Sequence, residues 1–253
     1  MKRSWYILLF SAGCFLLLWM LAQQVWEHSL SVSHSLDGYE GPIVSGKERL
    51  VVPIWKEISN DGKTKSNGSA PVVALTFDDG PSKYWTEGLL DGLKKRNVKA
   101  TFFLIGANVE GREYLVERMV EEGHLIGNHT YSHVQLTTIS NAEACREIDR
   151  ANEVLSAAVG EGIHYIRPPF GSWQVGLDSL VDMQVVLWSV DPQDWKVQNT
   201  KIIVENVLSQ VKDGDIILLH DVYKESVEAA FQIIDELQKR GYEFVRVDEL
   251  LLD

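Results

Sequence analysis

From Pro71 to the end of the chain, short apolar runs alternate with segments whose apolar residues repeat at helical spacing. Val72-Val73-Ala74-Leu75-Thr76-Phe77 is rich in β-formers and reads as a buried strand. The segment 84–96 follows, with Leu89, Leu90 and Leu93 on one helical face. The same alternation predicts strands at 100–105, 124–127, 165–166, 185–190, 216–219 and 243–247. Helices are predicted at 112–122, 141–159, 177–183, 201–212 and 226–240, and Ser140-Asn141-Ala142-Glu143 has the pattern of a capping box. Roughly seven β/α repeats define an α/β fold, read as a closed or nearly closed parallel (β/α)7–8 barrel behind an N-terminal transmembrane segment and linker. A doubly wound open sheet is the alternative.

The N-terminal third has a different pattern. Residues 5–22 (WYILLFSAGCFLLLWMLA) carry no charge, and Lys2 and Arg3 precede them. That length is about enough to cross a bilayer as a helix, and the basic flank places the N-terminus in the cytoplasm. The expected organisation is a cytoplasmic stub at 1–4, a signal anchor at 5–22, an extracellular stalk at 23–70 and a catalytic domain at 71–253. A cleaved signal peptide and a lipid anchor at Cys14 are the competing readings, and all three export the domain. Residues 49–58 have the composition of an edge strand, weakened by Pro53.

The formal net charge of -12 over 253 residues argues against a nucleic-acid partner, which needs a basic face. The cysteines, Cys14 and Cys145, imply no disulfide framework and no thiolate zinc site. A monomer is expected.

The chemistry sits in five short motifs at predicted strand ends: Thr76-Phe77-Asp78-Asp79-Gly80, His129-Thr130-Tyr131-Ser132-His133, Arg167-Pro168-Pro169-Phe170-Gly171, Asp191-Pro192-Gln193-Asp194-Trp195 and Leu218-Leu219-His220-Asp221. The C-terminal ends of strands are the face on which β/α barrels build active sites, so these positions favour the barrel. On a helical turn, His129 and His133 would face the same way and share one ion. Two histidines and one carboxylate leave coordination positions open for water and substrate. Asp78 and Asp79 can divide the work of ligand and base, although Asp-Gly-Pro is also an ordinary turn. Arg167 either pairs with a buried carboxylate or is a structural residue at the rim. The Pro168-Pro169 pair can hold the Phe170 N–H rigidly toward a reacting oxygen. His220 becomes a general acid if a carboxylate holds it, with Asp194 the candidate partner, or else it is a satisfied core histidine. Zn²⁺ is the first choice of metal on ligand type, with Co²⁺ and Ni²⁺ as alternatives.

Present in this order across residues 76–220, the motifs closely resemble those of the polysaccharide deacetylases of carbohydrate esterase family 4. The resemblance covers the barrel and none of the first seventy residues. It implies a deformed barrel that binds one divalent metal and removes N-acetyl or O-acetyl groups from sugars. By this resemblance Asp79, His129 and His133 bind the metal and Asp78 is the general base, oriented by Arg167. The Phe170 N–H helps hold the oxyanion. His220, tuned by Asp194, protonates the leaving amine, while Trp195 and Leu218 line the acetyl pocket. Thr130 braces the metal loop. Phe170 stands where tyrosine is commoner, which leaves a backbone donor intact.

The combined expectation is a membrane-anchored extracellular deacetylase acting on N-acetylglucosamine in a cell-surface glycan, peptidoglycan before others. Chitin oligosaccharide, exopolysaccharide and acetylxylan are alternative substrates. An inert glycan-binding module and a metal-free Asp/His hydrolase are alternatives of a different class.

Overall fold

The computed structural model of the chain describes residues 70–252. The proposed stub, anchor and edge strand lie outside the described residues, as does the stalk up to residue 69. Among the described residues, no helix is long and apolar enough to cross a membrane.

The first strand, β1 (Val72–Asp78), is buried from its second residue onward and pairs with three other strands of a parallel sheet. Around it lie β2 (Thr101–Leu104), β3 (Leu125–Asn128), β4 (Tyr165–Ile166), β5 (Gln184–Val185), β6 (Asp215–His220) and β7 (Glu243–Val245), in the order β5-β4-β3-β2-β1-β6. β7 pairs with the first half of β1 through Val72–Ala74, and β2 pairs with its second half through Thr76–Asp78. Every ladder is parallel, so the strand ends that carry the motifs share one edge.

Helices α1 (Thr86–Lys95), α2 (Gly106–Val109), α3 (Glu113–Glu121), α4 (Asn141–Val159), α5 (Asp194–Val197), α6 (Thr200–Gln210), α7 (Lys224–Lys239) and α8 (Val247–Leu252) fill the connections. Each long helix buries the face its sequence period marks. In α4 these residues are Ala144, Ile148, Ala151 and Leu155. The α4 capping box is present: Ser140 Oγ accepts from Glu143 N–H at 3.3 Å, and Ser140 N–H donates to the Glu143 carboxylate at 3.0 Å. The core couples Phe77, Phe102, Leu75 and Leu104 from the strands to Leu89, Leu93, Met119, Ile233 and Leu237 from the helices.

The sheet is a half-barrel rather than an evenly closed barrel. β5 has two residues instead of the six expected at 185–190, and residues 177–183 form only the 3₁₀ turn Leu177–Ser179. The gap between β5 and β6 is spanned by an irregular segment that forms no ladder with β6 but one isolated bridge, Val190 to Ile217, beside which Ser189 Oγ accepts from Ile216 N–H at 2.9 Å. The reason lies in Arg167, just beyond β4. The Val186 and Leu187 carbonyls both accept from Arg167, at 3.2 Å each, and so are turned toward a buried cation rather than along a ladder. The short helices α2, α5 and α8 had no helical-period signal, since four to six residues are too few to show one.

Candidate active site

β1 ends in Asp78, and the chain then turns through Asp79 at φ 75, a left-handed conformation uncommon outside glycine. That turn separates the two carboxylates. Asp78 points down into the barrel, where its Oδ1 accepts from Arg167 Nη1 at 2.8 Å. Asp79 turns upward, with its carbonyl held by Asn108 Nδ2 at 2.8 Å.

Asp79 meets two imidazoles. Its Oδ1 lies 3.4 Å from His129 Nε2 and 3.4 Å from His133 Nε2. A tetrahedral divalent site with metal–ligand bonds of about 2.0–2.2 Å sets neighbouring ligand atoms about 3.3–3.6 Å apart, so these separations suit a shared cation. Two further observations fit one. The His129 Nδ1 lies 2.6 Å from the Arg167 carbonyl, which can only accept; Nδ1 therefore carries the proton and Nε2 offers its lone pair. Asp79 Oδ1 is also buried with no hydrogen-bond donor among the described residues. Burial alone would raise the Asp79 pKa, but the neighbouring imidazoles, His129 first among them, bring it below its ordinary value. Burial lowers the His133 pKa, against the pull of Asp79. Both directions favour the ligand forms, carboxylate and neutral imidazole.

The expected helical turn for the histidine pair is absent. Residues 129–133 form a loop beyond β3, with Thr130 at φ 63 and His133 at φ 58. Two left-handed residues curl the loop so that the rings converge, with centroids 4.9 Å apart. Spacing alone could not distinguish this curl from a helix.

Arg167 is fully buried. Besides Asp78, it donates to Thr76 Oγ1 at 2.8 Å and to the two carbonyls of the irregular segment. Its guanidinium lies 4.2 Å from the Phe103 ring centroid. Burial lowers its pKa, and the Asp78 charge and hydrogen bond offset that. Beyond it, Phe170 sits at φ 60 in the 3₁₀ turn Pro169–Gly171, with its ring 64% exposed and edge-on to His133 at 4.9 Å. The backbone strain therefore lies at the residue whose N–H the sequence nominates as a donor.

On the opposite side, His220 ends β6. Its Nδ1 lies 2.8 Å from Asp194 Oδ1, and its backbone N–H donates to Asp194 Oδ2 at 2.8 Å. Burial would depress the imidazole, but the hydrogen bond and charge of fully buried Asp194 push its pKa up to about 9. Leu218 faces the same side of β6 as His220 and is buried; Trp195 is half exposed, with its N–H donating to Asp194 Oδ1 at 3.0 Å. The structure thus gathers every nominated residue at one end of the sheet.

Residues beyond those nominated also reach the site, among them the last residue of the fifth motif. Asp221 turns away from His220, accepts from Thr86 Oγ1 and is fully buried, which pushes its carboxyl up to about 7. Asn128 is buried beneath the histidine loop and accepts from Thr130 N–H at 2.7 Å. Trp188 lies over the Arg167 guanidinium at 5.6 Å. The apolar tail of β3 and the Trp-Ser before the fourth motif were the only hints of the last two.

Known proteins are similar to this chain in sequence and in fold. The sequence profile described as polysaccharide deacetylase matches residues 65–184, which takes in the first three motifs. A peptidoglycan-N-acetylmuramic acid deacetylase, PdaC of Bacillus subtilis, is 43% identical over 200 residues, covering 79% of this chain and 42% of the relative. A peptidoglycan-N-acetylglucosamine deacetylase, PgdA of Listeria monocytogenes, is 38% identical over 208 residues, covering 82% of this chain and 44% of the relative. The chain therefore matches less than half the length of these two relatives. The solved structure of PdaC superimposes with a TM-score of 0.71 at 42% identity, covering 73% of this chain and 91% of that one. Sequence, fold and strand-end motifs agree: the chain belongs to the polysaccharide deacetylase family.

Proposed function

We propose that this chain is a hydrolase that removes acetyl groups from N-acetylated sugars of a cell-wall glycan, peptidoglycan N-acetylglucosamine first among them. The observation that carries this reading is the pairing of opposites around one cleft. A carboxylate pinned by Arg167 faces an imidazole pinned by Asp194, with the Asp79, His129 and His133 triad at the same end of the sheet.

Asp79, His129 and His133 would hold a divalent cation, with Zn²⁺ preferred for a site of imidazole and carboxylate and Co²⁺ or Ni²⁺ admissible. The cation supplies Lewis-acid chemistry, acidifying water and polarising the acetyl carbonyl. Asp78 is the base: Arg167 occupies its Oδ1, and its Oδ2 lies on the side of the triad, 3.8 Å from His129 Nε2. It takes the proton of the attacking water as the new C–O bond forms at the acetyl carbon. The Phe170 N–H is positioned as a donor to the developing oxyanion. His220, protonated well above neutrality, gives its proton to the sugar nitrogen as the C–N bond breaks, releasing acetate and a free amine. Asp194 holds the imidazolium, and Trp195 and Leu218 form the apolar wall for the acetyl methyl.

The uncharged run at 5–22 behind Lys2 and Arg3 supports a single-pass membrane anchor, with residues 23–70 as a stalk and the catalytic domain outside the cell, within reach of a wall. The relatives' names divide between muramic acid and glucosamine as the deacetylated sugar. Mass spectrometry of muropeptides from peptidoglycan treated with the full chain decides this. Acetyl loss on glucosamine is the predicted result; loss confined to muramic acid would overturn that substrate assignment.

A further inference from the structure

The histidine loop has no regular secondary structure, yet it must hold two ligands within a few tenths of an ångström. Something outside the loop fixes it. α4 runs alongside, and one of its side chains grips the loop next to His133. A single oxygen of Glu147, Oε2, accepts from both Ser132 N–H and Ser132 Oγ, at 2.8 Å each. One turn on, the Arg150 guanidinium lies 3.5 Å from the Tyr131 ring centroid. Beneath, Asn128 Nδ2 donates to the Ile148 carbonyl at 2.9 Å and to Asn152 Oδ1 at 2.7 Å. On the other side, the Thr130 and Tyr131 carbonyls accept from Gly106 and Ala107 N–H at 3.0 and 2.9 Å.

We infer that Glu147 is a positioning residue for the metal centre: its double hydrogen bond to Ser132 fixes the left-handed turn at His133 and so sets that histidine's contribution to metal affinity. Asn128 and the α2 amides restrain the His129 half of the loop, and α4 reaches the His133 half through Glu147. His133 is the more exposed ligand of the two, its side chain 30% exposed against 3% for His129, and so depends more on such a brace. The charge of Glu147 is incidental, because one oxygen does the accepting; a glutamine carbonyl has the same two acceptor positions.

This inference rests on the metal reading of the triad, and its test separates the two. The metal-free full chain is titrated with Zn²⁺ in competition with a chromogenic chelator, and the Co²⁺-loaded chain is examined by visible absorption. E147A is expected to bind Zn²⁺ about 10-fold more weakly, at the lower end of what outer-sphere partners of a metal site contribute, with an altered Co²⁺ band. E147Q is expected to keep the wild-type band and most of the affinity. Wild-type affinity and band in E147A would overturn the inference, as would equal losses in E147A and E147Q, which would assign the effect to charge. Absence of Zn²⁺ binding by the wild-type chain would instead overturn the metal reading beneath it.

Discussion

Two carboxylates adjacent in sequence face different surroundings because the backbone reverses between them. Asp78 ends a regular strand, Asp79 sits at φ 75, and each therefore meets a different set of neighbours. Asp78→Asn keeps the three ligand residues and removes the base. Metal titration should match wild type while acetate release falls by at least about 10²-fold, the lower reach of general base catalysis; undiminished release would remove Asp78 from that role. His220 makes the complementary prediction. Its folded pKa is raised to about 9, so the acid form is present at neutral pH and activity falls as pH rises through that value. A bound cation opposes the rise and sets the limb of the loaded enzyme somewhat lower. Asp194→Asn removes the carboxylate and should move the alkaline limb of kcat down toward the ordinary imidazole value of about 6.5. A pH–rate profile with an unmoved limb would mean that another group is the acid.

Among the elements, the long helices and the strands of the sheet centre were legible in the sequence because burial imposes a period on them. The α4 helix is placed to the residue at both ends, by a capping box at Ser140 and a left-handed Gly160. Elements whose form is decided by tertiary contacts were not legible. β5 is cut short by carbonyls that serve Arg167, and the histidine loop is held by α4, which follows it in the chain, and by Asn128, which precedes it. The motif residues were readable as chemistry, but their bracing was not, because Glu147, Asn152 and Trp188 look like ordinary helix or loop residues in one dimension. One strand position ties packing to the site. A Cβ on Gly127 of β3 would lie 2.5 Å from the Phe103 ring, and that ring underlies Arg167. Gly127→Ala should therefore lower stability by about 1–3 kcal/mol, the usual effect of overpacking, and reduce kcat with it. Denaturant unfolding alongside acetate release checks this; a variant with wild-type stability would show that the ring has room to move.

At the scale of the whole molecule, a parallel half-barrel brings the ends of β1, β3, β4 and β6 to one edge, and residues separated by up to 142 positions meet there. Residues from the strand ends assemble into an Asp-His-His triad, a carboxylate held by Arg167 and an imidazole held by Asp194, the arrangement on which the proposed metal-assisted hydrolysis rests. The most direct test is acetate release by the purified full chain from N-acetylglucosamine oligomers and from peptidoglycan, with and without chelator. Release that chelation abolishes and Zn²⁺ or Co²⁺ restores is the predicted result. Release that survives complete metal removal, or no release from either acetylated glycan by metal-loaded protein, would contradict the account.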